Sequence, residues 1–268
     1  MLAESLESKL DKDVQVLNLD GAAGMQMINK LLSAPTDGCT IAHSSVPGHL
    51  QYLFPELKLD YKKDDFSFAG AFAKSPQLLT VAADSPYKTV DDLVASAGPD
   101  GLTVAADGPK GGDAALNAQF SESAGVKIKQ VVLDGGSDKL AALLGGQVDY
   151  QNGSIGSVGP SIKSGDLRAL AVWGTERIEA LPDVPTGEEL GLDVELTPTY
   201  GLMVSAETPE AIRKELETTL HEITEDPEFL EGMKKLGLPV EFLDGEEYSQ
   251  RWDETGDQVT SVDYSSLR

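Results

Sequence analysis

The stretch "QVVLDGGSDKLAALLGGQVDYQNGS", residues 130–154, decides the fold. Its apolar start closes a strand predicted over residues 126–133, "VKIKQVVL". Gly135, Gly136 and Ser137 make a tight turn, and "KLAALLG" (139–145) restarts the chain as a helix. The first N–H groups of a helix have no partner inside it, so this turn offers donors to a carboxylate or phosphate. The same cycle stands upstream in "LTVAADGPKGGDAALNAQFSESAG" (102–125): strand, glycine turn, helix.

Working outward, strands and helices keep alternating. Strands are predicted in "DVQVLNLD" (13–20), in "GCTIAHSS" (38–45), which runs into a polar turn, on either side of Ser75-Pro76, and in "LRALAVWG" (167–174). Helices are predicted at the amino terminus, where Leu2, Leu6 and Leu10 share a face, in "GMQMINKLLSA" (24–34), and after the capping residue Thr89. Two more helices, broken at Asp226-Pro227, follow in residues 208–237. This order argues for α/β layers with mixed, mostly parallel sheets. The pattern restarts near Pro99, a hint of two lobes.

Composition limits the function. The chain has 268 residues, 45 acidic against 21 basic, and a formal charge of -24. Such a polyanion repels nucleic acid and anionic lipid. A global acidic adaptation, as in a high-salt organism, explains the charge better than a ligand does. No apolar run approaches the roughly 20 residues of a membrane span. Cys39 is the only cysteine, expected as a small core residue, and its being alone excludes an intrachain disulfide. His43, His49 and His221 show no metal-ligand spacing, so no metal or cofactor is assigned.

Chemistry concentrates in the turns. Gly108-Pro109-Lys110-Gly111-Gly112-Asp113 and Gly135-Gly136-Ser137 sit where ligands bind in parallel sheets. The competing reading is that the glycines serve turn geometry alone, with Asp113 or Ser137 capping its helix. Neither turn fits a Walker loop or a dinucleotide fingerprint, and "GSIGSVG" (153–159) is not a nucleophile elbow. Tyr150, Gln151, Asn152, Gly153 and Ser154 form a polar patch that either orients a small ligand or is a surface turn.

Three further stretches, "LLGGQVD" (143–149), "IKSGDLRALAV" (162–172) and "LPDVPTGEELGL" (181–192), resemble motifs of the tripartite tricarboxylate transporter substrate-binding proteins, the TctC or Bug family. "SPYKTVDDL" (85–93) and "YGLMVSAETPEAI" (200–212) extend the resemblance, which runs from residue 2 to about residue 252. It implies a type II periplasmic-binding-protein-like fold, with residues 1–98 and 207–268 in lobe 1, residues 99–206 in lobe 2, and an interlobe ligand cleft. It implies no enzymatic activity. The expected role is extracytoplasmic capture of a small carboxylate by a monomer, with delivery to the large and small membrane subunits of a tripartite transporter. A sensory partner of a membrane signalling protein is the alternative, and an enzyme using the same turns is a third reading.

Position by position, the resemblance assigns ligand contacts to Ser44, Ser45, Gly108, Lys110, Gly111, Gly112, Asp113, Gly135, Gly136, Ser137, Thr199 and Tyr200, and the polar patch adds Gly153 and Ser154 as candidate contacts. Departures stand at Lys110-Gly111, where the family often has glycine then serine, and at Leu133-Asp134, where it commonly has Tyr-Lys. Family members also begin with a signal peptide and a first strand. The intact protein is therefore expected to carry roughly 30 to 60 further residues, a signal segment with one strand and turn.

Overall fold

Apolar runs of period two become strands and amphipathic runs become helices through most of the chain. The computed structural model describes residues 1–19, 24–133 and 135–267. Among them the elements run α1 (Leu2–Leu10), α2 (Met25–Leu32), β1 (Ala42–Val46), β2 (Phe66–Lys74), β3 (Gln77–Ala82), α3 (Val90–Ala95), β4 (Leu102–Ala106) and α4 (Gly112–Ala124). There follow β5 (Ile128–Val132), α5 (Gly136–Leu144), β6 (Tyr150–Ser154), α6 (Ile155–Ser164), β7 (Leu167–Trp173), β8 (Thr199–Ser205), α7 (Glu210–Thr224), α8 (Pro227–Lys235), β9 (Val240–Leu243) and α9 (Gly245–Ser261).

The chain divides into two units. Unit 1 is Met1–Lys74 with Thr199–Gln258, and unit 2 is Ser75–Pro198 with Val259–Arg268. The expected boundaries at 98/99 and 206/207 thus shift to 74/75 and 198/199. The reason lies in β3, which precedes Pro99 but pairs with β6 and β7 of unit 2. The last residues join unit 2 because Leu267 bridges to Ile128 of β5.

Unit 1 holds a sheet of order β1-β8-β2-β9, antiparallel throughout. Its core packs Leu6 of α1 and Leu216, Leu220 and Ile223 of α7 against Phe72, Leu202 and Val204 of the sheet. The leucine stripe of α1 behaves as expected, with Leu6 buried and Leu2 and Leu10 beside it. Residues 13–19 do not form the predicted strand. Val16 and Leu17 are exposed there and join no ladder; alternation alone, without a neighbouring strand to pair with, leaves backbone groups to water. Cys39 is exposed, not core. Its N–H donates to Asp37 Oδ1 at 3.0 Å in a turn that delays the strand until Ala42. Ser44 and Ser45 accordingly stand inside β1 instead of in a polar turn.

Unit 2 holds a sheet of order β5-β4-β6-β3-β7. Pairing is parallel for β5-β4-β6 and antiparallel for β6-β3-β7. Only the unit 2 sheet is mixed, and the expectation of mostly parallel sheets is corrected: among the named strands, parallel pairing is confined to β5, β4 and β6. Val104, Leu79 and Trp173 are buried, and α5 and α6 cover Leu78, Ala105 and Val172. Tyr150 to Ser154 form an inner strand, not the surface turn that one of the two readings expects. Tyr150 and Asn152 are tolerated in that strand because their polar groups are paired internally, as described below, whereas Gln151 Oε1 is buried without a partner.

Helix α3 starts as predicted. Thr89 Oγ1 accepts from the Asp92 N–H, and the Asp92 carboxylate accepts in return from the Thr89 N–H. Thr89→Ala is expected to cost about 1 kcal/mol, a downward shift of about 2–4 °C in a thermal melt. No shift would mean that the box contributes nothing to α3.

Candidate ligand-binding site

Parallel pairing sets the carboxyl ends of β5, β4 and β6 side by side, so α5, α4 and α6 all begin at one edge of the unit 2 sheet. The three amino ends differ in how they are closed. Ser154 caps α6, its Oγ accepting from the Ser157 N–H at 3.3 Å. Gly111 and Gly135 are the N-cap residues of α4 and α5, and neither helix has a side-chain cap. The capping roles offered for Asp113 and Ser137 are therefore not the ones they play. Both N-cap glycines adopt positive φ, 113° and 92°, a region that side-chain-bearing residues rarely enter. Gly135 and Gly136 are exposed, and a Cβ on either would meet nothing within 4 Å.

Beneath these turns lies a buried polar cluster. Asn152 of β6 donates through Nδ2 to Asp113 Oδ1 at 3.2 Å and to Asn117 Oδ1 at 2.9 Å. Its Oδ1 accepts from Trp173 Nε1 at 2.8 Å. Asn117 also accepts from the Tyr150 hydroxyl at 3.1 Å. Lys139 of α5 places its ammonium 3.1 Å from Asp107 and 3.4 Å from Asp113, and donates to the Asn152 carbonyl.

Charge follows from this packing. Burial pulls the Lys139 ammonium towards neutrality, but Asp113 and Asp107 together outweigh it and raise its pKa. Burial raises the Asp113 carboxyl pKa against the opposing pull of Lys139. The Tyr150 phenol is raised well above its ordinary value, chiefly by burial and then by Asp113 and Asp149. Asp113 faces inward, so it supports the turn from below.

Of the fourteen expected contact residues, the ten from Gly108 to Ser154 lie in unit 2 around these helix starts. Gly153 answers a packing need, since a Cβ there would stand 2.5 Å from Val158 Cγ1. Lys110 Nζ lies 5.7 Å from the centroid of the Tyr264 ring. The Tyr264 phenol accepts from the Gly111 N–H and donates to the Val259 carbonyl at 2.9 Å. Burial raises that phenol to about 12. Asp134 lies outside the described residues.

Ser44, Ser45, Thr199 and Tyr200 belong to unit 1, where β1 pairs with β8 and sets Ser45 opposite Tyr200. Ser44 and Thr199 are buried and internally bonded. The Ser44 hydroxyl donates to the Tyr248 hydroxyl at 3.0 Å, and Tyr248 donates to the Thr199 carbonyl at 3.2 Å.

Sequence reasoning missed Lys139, Asn117, Asp107 and Tyr264. Asp113 and Asn117, four residues apart, and Tyr150 and Asn152, two apart, carried a periodic signal of polar groups on inward faces. Nothing local marks Lys139, because its partners come from two other segments.

The comparisons agree with this architecture. Residues 1–262 match the family described as "Tripartite tricarboxylate transporter family receptor". A relative from Agrobacterium vitis, the UPF0065 protein in the TAR-I ttuE-ttuC' intergenic region, is 32% identical over 248 residues, 90% of this chain and 70% of its own length. MatC from Rhodopseudomonas palustris, solved with bound malate, superposes with a TM-score of 0.85 at 24% identity, covering 97% of this chain and 91% of that one. An R. palustris protein solved with adipate gives 0.84 at 20% identity, covering 97% and 90%. The fold is that of the periplasmic solute-binding proteins. This chain belongs to the TctC/Bug family of the tripartite tricarboxylate transporters. No helix among the described residues is long and apolar enough to cross a membrane.

Proposed function

We propose that this protein captures a small carboxylated metabolite outside the cytoplasm and delivers it to the membrane subunits of a tripartite tricarboxylate-type transporter. The observation that carries the reading is the pair of neighbouring helix starts, α4 and α5, with glycine N-caps and no side-chain cap. Amide donors fixed at two amino ends, each with the favourable end of a helix dipole, suit a carboxylate without needing a cationic side chain on it. Family membership and the malate- and adipate-bound neighbours support the ligand class. The mechanism is binding without turnover: the ligand oxygen takes hydrogen bonds from the turn at Gly112 and Asp113 and from that at Gly136 and Ser137.

Calorimetric titration with malate, adipate and a panel of mono-, di- and tricarboxylates tests this. One saturable site per chain, with the ligand recovered unchanged, is the expected result; no binding across the panel would refute the ligand class. Gly136→Val probes the turn itself. Its side chain has open space, so stability should change by less than about 0.5 kcal/mol. Standing at the first helical position, it should weaken binding about tenfold or more. Equal affinities for variant and parent would remove Gly136 from the site.

A further inference from the structure

The β4-β5 ladder ties the strands that enter the two turns as far as Ala106 and Leu133, and the helices that leave them are separate. Among the described residues, the Lys139 side chain bridges the two helix starts. Lys139 starts on α5, within a turn of Gly136, and its ammonium reaches Asp107 and Asp113 on either side of the Gly108–Gly112 loop. It is buried, with 9% of its side chain exposed, and a third bond to the Asn152 carbonyl ties it to β6. Asp113 is 13% exposed and stands in the first turn of α4. Left without a counter-charge, that carboxylate would put negative potential under the amides that are to hold an anion. We propose that Lys139 is a positioning residue that locks the two glycine turns into one surface and cancels the charge of Asp113 beneath it, so that the surface accepts a carboxylate.

This rests on the carboxylate reading for its ligand, but the lock has a test of its own. The groups facing Asp113 are Asp107 from the loop after β4, Lys139 from α5, Asn117 from α4, and Asn152 with Tyr150 from β6. Removing Lys139 leaves two carboxylates with no cation among the groups just named, and only the Asn152 amide and the Asp107 N–H still donating to Asp113. Lys139→Met should then speed exchange of the first hydrogen-bonded amide of each helix, that of Ala115 to the Gly111 carbonyl and that of position 139 to the Gly135 carbonyl, by at least tenfold. It should also weaken malate binding at least tenfold at neutral pH. Lysine loss can unsettle folding because of the charge left behind, so Lys139→Met with Asp113→Asn is the companion variant.

Two readouts separate charge cancellation from simple support. The double variant should bind malate within about threefold of the parent. Lowering the pH should restore binding in Lys139→Met relative to the parent titrated at the same pH, by protonating Asp113, whose pKa is raised by burial. Unchanged exchange at Ala115 in Lys139→Met would overturn the lock. Affinity lost and recovered neither by Asp113→Asn nor by acid would overturn the charge role. If the parent binds no carboxylate, the functional reading falls, and exchange in the two turns still decides for or against the lock.

Discussion

Asn152→Leu is expected to destabilise unit 2 by about 3–5 kcal/mol, although the two side chains are close in size. Asn152 is buried and spends its amide on three partners: Asp113, Asn117 and the Trp173 indole. Leucine satisfies none of them. Trp173 is fully buried, so its N–H would be left without an acceptor, and Asp113 would lose a donor beside a charge already difficult to bury. An orphaned buried group costs about 1–3 kcal/mol, more when it is charged, and the added apolar burial offsets only part of that. The chain's two tryptophans, Trp173 and Trp252, fall in different units. Urea unfolding followed by Trp173 fluorescence in a Trp252→Phe background would therefore report on unit 2 alone. A loss below 1 kcal/mol would show that the cluster is slack.

The second large effect is a pH dependence in unit 1. His49 is buried at 8% exposure, and its Nδ1 accepts from the Ser45 N–H at 3.2 Å. Burial, with a smaller contribution from His43, lowers its pKa from 6.5 to about 4. The Trp252 ring lies 6.5 Å away, and the Tyr61 hydroxyl donates to the His49 carbonyl. Neither supplies negative charge to an imidazolium. An unfolded chain takes up this proton below pH 6.5, while the folded one resists until about pH 4. Stability is therefore full above pH 6.5 and falls with decreasing pH, by about 3 kcal/mol in all by pH 4. His49→Gln removes the titration, so the parent-minus-variant difference, read from Trp252, should shrink by that amount between pH 7 and 4. A difference constant with pH would mean that the ring is solvated.

What the sequence shows and hides follows from the range of the interactions. The turns at Gly111 and Gly135, the Thr89 box and the stop at Asp226-Pro227 were legible because their causes lie within a few residues. Asp226 accepts from the N–H groups of Glu228 and Phe229, next in the chain. The strand expected over 13–20 does not form at residues 13–19 because a strand needs a partner, which alternation does not reveal. The polar strand Tyr150–Ser154 hid for the converse reason: propensity disfavours Asn and Gly there, and bonds to α4 and β7 override it. Lys139 escaped because its meaning is tertiary. The division into units moved because β3 pairs with strands far downstream, and no residue near Ser75 announces that choice.

The exposed turn around Cys39 bears on how this protein behaves in an oxidising compartment. A lone accessible thiol has no cysteine mate within these 268 residues, so a disulfide formed here joins unit 1 to a second thiol-bearing molecule. The same arithmetic makes it a single-point handle: one maleimide dye per chain, attached at a place well separated in sequence from the glycine turns.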